Sequence, residues 1–136
     1  TLTPHAGVEM QTYMLNHPGG AIGYRINWKG RIVSLIYDIE HIPGTYDPVA
    51  LEMMKDADLV VYDCTYNEDE MQRFKGFGHS TWQHGTELAK MAGAKRFALF
   101  HHAPSRTDEQ LAVMESEAQA AFAGAFAARD NQVVDI

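Results

Sequence analysis

The stretch that decides the fold begins with DLVVYD, residues 58–63, a short continuous apolar run that ends in a carboxylate. Such a run is typical of a buried strand. Ser80 and Gln83 then form a capping box, Ser-x-x-Gln, and apolar side chains recur at helical spacing as far as Gly93. KRFALFH, residues 95–101, has the composition of another strand. This succession of strand, helix and strand predicts an α/β fold.

Two strands upstream of this unit are expected to pair as a hairpin. AIGYRINW, residues 21–28, and RIVSLIYD, residues 31–38, are rich in β-branched and aromatic side chains, and only Lys29-Gly30 separates them. Residues 9–16 contain a further β-compatible stretch. Residues 1–8 show little periodicity and are expected to be an irregular lead-in.

Two more helices and a last strand are predicted around these elements. Asp47-Pro48 has the pattern of an N-cap followed by the first helical residue, so a short helix is expected to reach Lys55. Thr107 begins a second capping box, and the apolar side chains from Leu111 to Phe126 lie on one stripe of the helix that follows. QVVDI, residues 132–136, is expected to be an edge strand. Together the elements predict a mixed sheet with helices on one face.

Size and composition narrow the class of protein. The 136 residues are 46% hydrophobic and 21% charged, which suits one globular domain. No apolar run approaches the roughly 18–20 residues that a membrane span needs. With 11 basic and 18 acidic residues the net charge is −7, so nucleic acid is expected to be an unlikely partner. The single cysteine, Cys64, favours a reducing, cytoplasmic location. The first residue, Thr1, leaves room for a longer natural protein upstream.

Several polar side chains fall where predicted strands end or helices begin. His17, Asp38, Asp63 and His101 follow or end strands, and His79 precedes a helix. Loops at the carboxyl ends of α/β strands assemble functional sites, and imidazole and carboxylate groups bind divalent metals. The long spacings do not show that these groups converge. Each residue also has a structural interpretation as a turn former or a helix-start residue, which stays open.

The remaining histidines and the cysteine are expected to be structural. His101 and His102 are adjacent, so on a strand they point to opposite faces and at most one faces a site. His84 lies in the middle of a predicted helix and His5 in the lead-in, and both are interpreted as structural or solvated. Cys64 is interpreted as a small buried hydrophobe and not as a nucleophile.

Four motifs in order give the chain a likeness to a known family. They are LNHPGGAIGYRI (15–26), VSLIYDIEH (33–41), DLVVYDCTY with GHSTWQHGTELAKMAGAKR (58–66 and 78–96), and LFHHAPSRTDEQL (99–111). Together they resemble the C-terminal half of a metallo-β-lactamase-fold hydrolase of the phosphodiesterase and ribonuclease Z branch. The resemblance implies an αββα-type fold of which residues 1–136 form one half. It also implies that one face of the sheet packs on the missing half.

The resemblance also implies a role for each candidate residue. His17 and His101 would be metal ligands, and Asp38 would bridge two metals. His79 would donate a proton to the leaving oxygen, with Asp63 holding its ring where the branch usually has a glutamate. Zinc is the expected divalent metal, with two ions in a complete site, and manganese or iron would accept the same ligands.

One family motif, His-x-His-x-Asp-His, is absent from these 136 residues. The chain is therefore expected to act only when an N-terminal half, from the same domain or from another chain, completes the site, and alone to hold at most one weakly bound metal. The implied reaction is hydrolysis of a phosphodiester, and the negative charge favours a small, cyclic phosphoester over tRNA. A non-catalytic half-domain for scaffolding or homodimerisation is the alternative from another class. A receiver-like domain with Asp38 or Asp63 as phosphoacceptor is a third interpretation.

Overall fold

The seven strands lie in one sheet in the same order as in the chain, in a computed structural model that describes residues 1–136. The strands are β1 (Leu2–His5), β2 (Val8–Leu15), β3 (Ala21–Trp28), β4 (Arg31–Ile36), β5 (Leu59–Asp63), β6 (Phe97–Phe100) and β7 (Ala125–Ala127). The helices are α1 (Pro48–Met54), α2 (Glu68–Met71), α3 (Trp82–Met91) and α4 (Asp108–Ala121). None of these helices has the length and apolar character needed to cross a membrane.

The sheet is mixed, as predicted. Strands β1 to β4 pair antiparallel, and β4 to β7 pair parallel. The hairpin between β3 and β4 turns at Lys29 and Gly30, whose φ angles of 53° and 79° are those of a two-residue turn that matches the strand twist. Because β4, β5 and β6 are parallel neighbours, their carboxyl ends meet at one edge of the sheet, and this edge carries the candidate site.

Side-chain caps fix where the helices begin. Asp47 accepts a hydrogen bond from the Val49 amide at 2.8 Å, as the Asp-Pro pattern predicted. For α3 the predicted cap is one residue off, since Thr81 and not Ser80 accepts from the His84 amide, at 3.2 Å. The Ser80 hydroxyl instead contacts His41 and Tyr62.

Both ends of the chain differ from the sequence-based expectation. The predicted helix does not extend to Phe126, because residues 125–127 form β7. The helix ends at Ala121, since Phe122 is extended with φ −146° and ψ 106°. Gly124 then packs closely on the segment before β6, where an added Cβ would lie 2.3 Å from the Lys95 carbonyl oxygen. QVVDI lies outside the strands, and residues 2–5 form β1 instead of a lead-in. All four residues of β1 are exposed, so no alternation of polar and apolar side chains marked it as a strand.

The two faces of the sheet differ in what covers them. The helices α1, α3 and α4 cover one face, where the absent Cβ of Gly23 leaves room for the Met53 side chain of α1. Met14, Ile22, Tyr24 and Trp28 alternate with these inward positions and therefore point to the other face. These four residues are 36–69% exposed. An uncovered apolar sheet face is what the half-domain interpretation requires.

Candidate metal centre

Four candidate side chains converge at the shared edge of β4, β5 and β6. Asp38 lies two residues beyond β4, Asp63 ends β5, and His101 directly follows β6. His79 reaches the same place from the loop before α3. One ligand atom from each of Asp38, Asp63, His79 and His101 lies within 4.8 Å of every other, and we call this group the acidic–histidine cluster.

The donor set of this cluster fits a divalent cation. Asp38 Oδ1 is buried without a hydrogen-bond donor, although His101 Nε2 lies only 2.8 Å away. The two atoms lie at ion-pair distance, and Asp38 Oδ1 accepts no hydrogen bond. A buried oxygen without a donor beside an imidazole nitrogen is a site that a cation satisfies. Ligands of one ion lie at most about 4.4 Å apart with bonds of about 2.2 Å, so small side-chain rotations suffice.

Asp63 is the fully buried centre of the hydrogen-bond network. Its Oδ1 accepts from the Thr65 hydroxyl at 2.7 Å and from the amides of Thr65 and Ser80 at 3.2 and 3.4 Å. Its Oδ2 accepts from the Ile39 amide at 3.2 Å and from His79 Nδ1 at 2.9 Å. Every neighbour is a donor, which is how a buried carboxylate is stabilised in a protein interior.

The contact between His79 and Asp63 is present as predicted, despite the shorter aspartate. Because Nδ1–H donates to Asp63, the other ring nitrogen, Nε2, is left to face a ligand or a substrate. The His79 ring also stacks on His101 with centroids 4.8 Å apart. The proton-donating role of His79 stays a prediction.

Thr65 connects Asp63 to His101 and was missed from the sequence. Its hydroxyl lies 2.7 Å from Asp63 Oδ1 and 3.1 Å from His101 Nδ1. The His101 carbonyl oxygen also lies 2.7 Å from this hydroxyl. A hydroxyl has one proton, so donation to either oxygen acceptor leaves the Thr65 oxygen to accept from His101 Nδ1–H. His101 Nε2 then keeps its lone pair towards Asp38. The motif DCTY could have indicated this contact, because a threonine two residues after a strand-end carboxylate readily donates a hydrogen bond to that carboxylate.

His17 lies beside the acidic–histidine cluster and is not one of its four members. Its ring centroid is 6.1 Å from that of His79, and its Nδ1 accepts from the Gly19 amide at 3.1 Å. The structure therefore brings Asp38, Asp63, His79 and His101 together, and His17, the fifth predicted site residue, lies outside this group. The role of His17 as a ligand stays a prediction.

The other residues singled out in the sequence have structural surroundings. His102 turns away from the cluster and its Nε2 lies 3.1 Å from the Ala128 carbonyl oxygen, so only one of the adjacent histidines faces the site. Cys64 is fully buried, and burial raises the pKa of its thiol. His5 is exposed on β1.

A stack of three aromatic rings supports the helix start behind the cluster. The His41 and His84 rings are parallel with centroids 4.0 Å apart, and Tyr46 covers His84 at 6.0 Å. His41 Nδ1 lies 2.7 Å from the Ser80 hydroxyl, which also contacts the Tyr62 hydroxyl at 3.0 Å. Burial, and then the neighbouring His84, lower the pKa of His41 to about 4, so this ring is neutral near pH 7. These rings line a cavity of about 350 Å³.

Comparison with known proteins identifies the family. Residues 2–102 match the family described as the beta-lactamase superfamily domain. The chain belongs to this superfamily. It is 30% identical over 108 residues to the ribonuclease Z of Lactiplantibacillus plantarum, an alignment that covers 79% of this chain and 33% of that protein. The resemblance to the ribonuclease Z branch is thereby confirmed, and the chain spans about a third of the length of this relative.

Solved structures show the same fold at lower identity. The short form of human tRNase Z superposes with a TM-score of 0.73 at 22% identity, over 99% of this chain and 46% of that one. Zn(2+)-bound PqqB from Methylobacterium extorquens superposes with a TM-score of 0.71 at 15% identity, over 100% of this chain and 53% of that one. The sheet of this chain is therefore that of a metallo-β-lactamase fold.

These relatives overturn the predicted partners. A small-molecule phosphoester had been expected as substrate and nucleic acid as an unlikely partner, whereas the relatives are ribonucleases and one is named for tRNA. The expectation was wrong because it rested on the net charge of −7. Net charge is summed over the whole surface, whereas RNA responds to the field around its own binding surface.

Proposed function

We propose that the chain is the C-terminal half of a metal-dependent phosphodiesterase that hydrolyses RNA of the tRNA class. The observation that carries the proposal is the acidic–histidine cluster, with its buried and unpartnered Asp38 oxygen. The similarity to ribonuclease Z supports the substrate class. Zinc, at two ions in the complete site, is the proposed metal, supported by imidazole and carboxylate donors and by the zinc in PqqB. A cytoplasmic location stays a prediction.

We assign metal binding and proton donation to different residues of the chain. A divalent cation at this site supplies Lewis acidity for a phosphoryl oxygen when it is bound. Asp38 and His101 would hold that cation, and the Thr65 hydroxyl would keep His101 in the tautomer that directs Nε2 to it. His79, oriented by Asp63, places Nε2 to donate a proton to the leaving oxygen. General acid assistance of this kind is worth about 10²–10⁴-fold in rate.

A second half-domain is needed to complete the site. Within the cluster only Asp38 and His101 are proposed as ligands, with His17 beside them, whereas two metals need about four ligands each. The apolar face that carries Met14, Ile22, Tyr24 and Trp28 supports a packing partner on that side of the sheet. In this proposal the missing ligands come from that partner, in the position that the family motif His-x-His-x-Asp-His would occupy.

The proposal is tested with the complete protein, zinc and a labelled tRNA transcript. We expect cleavage that a chelator abolishes and that His79→Ala lowers by about 10²-fold. His5→Ala is the matched control, because His5 is an exposed histidine on an edge strand, away from the cluster. Zinc binding without hydrolysis of any RNA would refute the proposal and favour a non-catalytic half-domain.

A further inference from the structure

The loop that leads to His79 is held by a carboxylate outside the cluster. Glu40 Oε1 accepts a hydrogen bond from the Gly76 amide at 2.8 Å, and Glu40 Oε2 accepts from the Gly78 amide at 2.7 Å. Gly76 and Gly78 have φ angles of +89° and +91°, a conformation that strongly favours glycine. Both oxygens of one carboxylate thus fix the backbone immediately before His79.

The two glycines differ in what surrounds them. A Cβ on Gly78 would lie 2.2 Å from His17 Cδ2 and 2.4 Å from His17 Nε2, so the His17 ring rests directly on the Gly78 backbone. A Cβ on Gly76 would meet nothing within 4 Å. Of these two glycines, only Gly78 is in contact with His17.

The backbone of Glu40 also holds the segment that carries His17. The Glu40 amide donates to the Asn16 carbonyl at 2.8 Å, and Asn16 Nδ2 donates to the Glu40 carbonyl at 2.8 Å. Glu40 thus bonds to the residue before His17 through its main chain and to the residue before His79 through its side chain. It follows Asp38 by two residues and is not a member of the cluster.

We propose that Glu40 is a positioning residue that sets the distance between His17 and His79 by clamping Asn16 and Gly78. It acts through these two neighbours, because its carboxylate is used by the glycine amides and does not reach the cluster. The clamp fixes where His17 stands relative to Asp38 and His101, and so how well His17 can join them around a metal. This inference rests on the proposed function only in taking His17 as a ligand. Residues that orient metal ligands typically change metal affinity by about 10–100-fold when replaced.

The test compares Glu40→Ala and Gly78→Ala with Gly76→Ala in the complete protein. The readouts are ring ¹H–¹⁵N spectra of His17 and His79 in the metal-free protein and zinc affinity by chelator competition. We expect Glu40→Ala and Gly78→Ala to shift both ring signals and to weaken zinc binding by about tenfold or more. Gly76→Ala has the same backbone strain without the contact to His17, so it should leave both readouts close to those of the wild type.

Several results would overturn the inference. One is a Gly78→Ala protein whose ring signals and zinc affinity match those of Gly76→Ala. Another is a Glu40→Ala protein that loses only thermal stability. If Glu40→Ala fails to fold, Glu40→Gln decides, because its amide nitrogen cannot accept from a glycine amide, and we expect a smaller shift in the same direction. Neither readout requires RNA hydrolysis, so failure of the proposed substrate would leave this result standing.

Discussion

Replacing Thr65 by valine removes the hydroxyl that joins His101 to Asp63 and keeps the shape of the side chain. The hydroxyl lies 2.7 Å from both Asp63 Oδ1 and the His101 carbonyl oxygen, and without it Asp63 Oδ1 would keep only the weaker amide contacts at 3.2 and 3.4 Å. A hydrogen bond to a buried carboxylate contributes about 1.5–3 kcal/mol, so we expect the free energy of unfolding to fall by about 2 kcal/mol. For a chain of this size that lowers the melting temperature by roughly 6–10 °C.

The same substitution should weaken metal binding, because His101 Nδ1 would lose the acceptor that fixes its tautomer. Loss of such a partner typically costs about 10–100-fold in metal affinity. Denaturant unfolding of the metal-free protein and zinc competition with a chelator measure the two effects separately. Thr65→Ser is the matched control, since it retains the hydroxyl and should retain zinc affinity. A Thr65→Val protein with wild-type stability and wild-type zinc affinity would refute the hydrogen-bond pathway from Asp63 to His101.

Three further predictions follow from the site and the helix starts. His79→Ala should lower turnover on RNA by about 10²-fold and leave zinc content unchanged, and loss of zinc would show that His79 is a ligand and not an acid. The pKa of His41 is about 4 in the folded chain and about 6.5 when unfolded. Its contribution to stability is therefore full above pH 6.5 and lost as the pH falls towards 4, by about 3 kcal/mol at most, and His41→Gln should flatten the slope of unfolding free energy between pH 7 and 5. Asp47→Ala removes the cap of α1 and should cost about 1 kcal/mol in denaturant unfolding, whereas an unchanged midpoint would show that Pro48 alone fixes this helix start.

The sequence could predict the residues whose position depends on strand ends. Asp38, Asp63 and His101 lie within two residues of the ends of adjacent parallel strands, and the apolar runs before them mark those strands. Local patterns also predicted the turn at Lys29-Gly30, because backbone conformation there depends on neighbouring residues only.

Contacts across long sequence separations could not be predicted in the same way. Glu40 meets Gly78 across 38 residues, and Thr65 meets His101 across 36. The spacing of these residues along the sequence does not predict the two contacts, because both depend on how separate loops pack together. The end of α4 was mispredicted because an alanine-rich segment favours helix, whereas the chain turns to an extended conformation at Phe122 and continues into β7 beside β6.

The most direct test of the account is the zinc stoichiometry and affinity of the 136-residue chain and of its Asp38→Ala variant. The unpartnered Asp38 oxygen is the observation on which the metal centre depends. We predict that the chain binds at most one zinc ion, weakly, at the acidic–histidine cluster, and that Asp38→Ala abolishes this binding. Zinc binding that is undiminished in Asp38→Ala, or two tightly bound ions in the isolated chain, would contradict it.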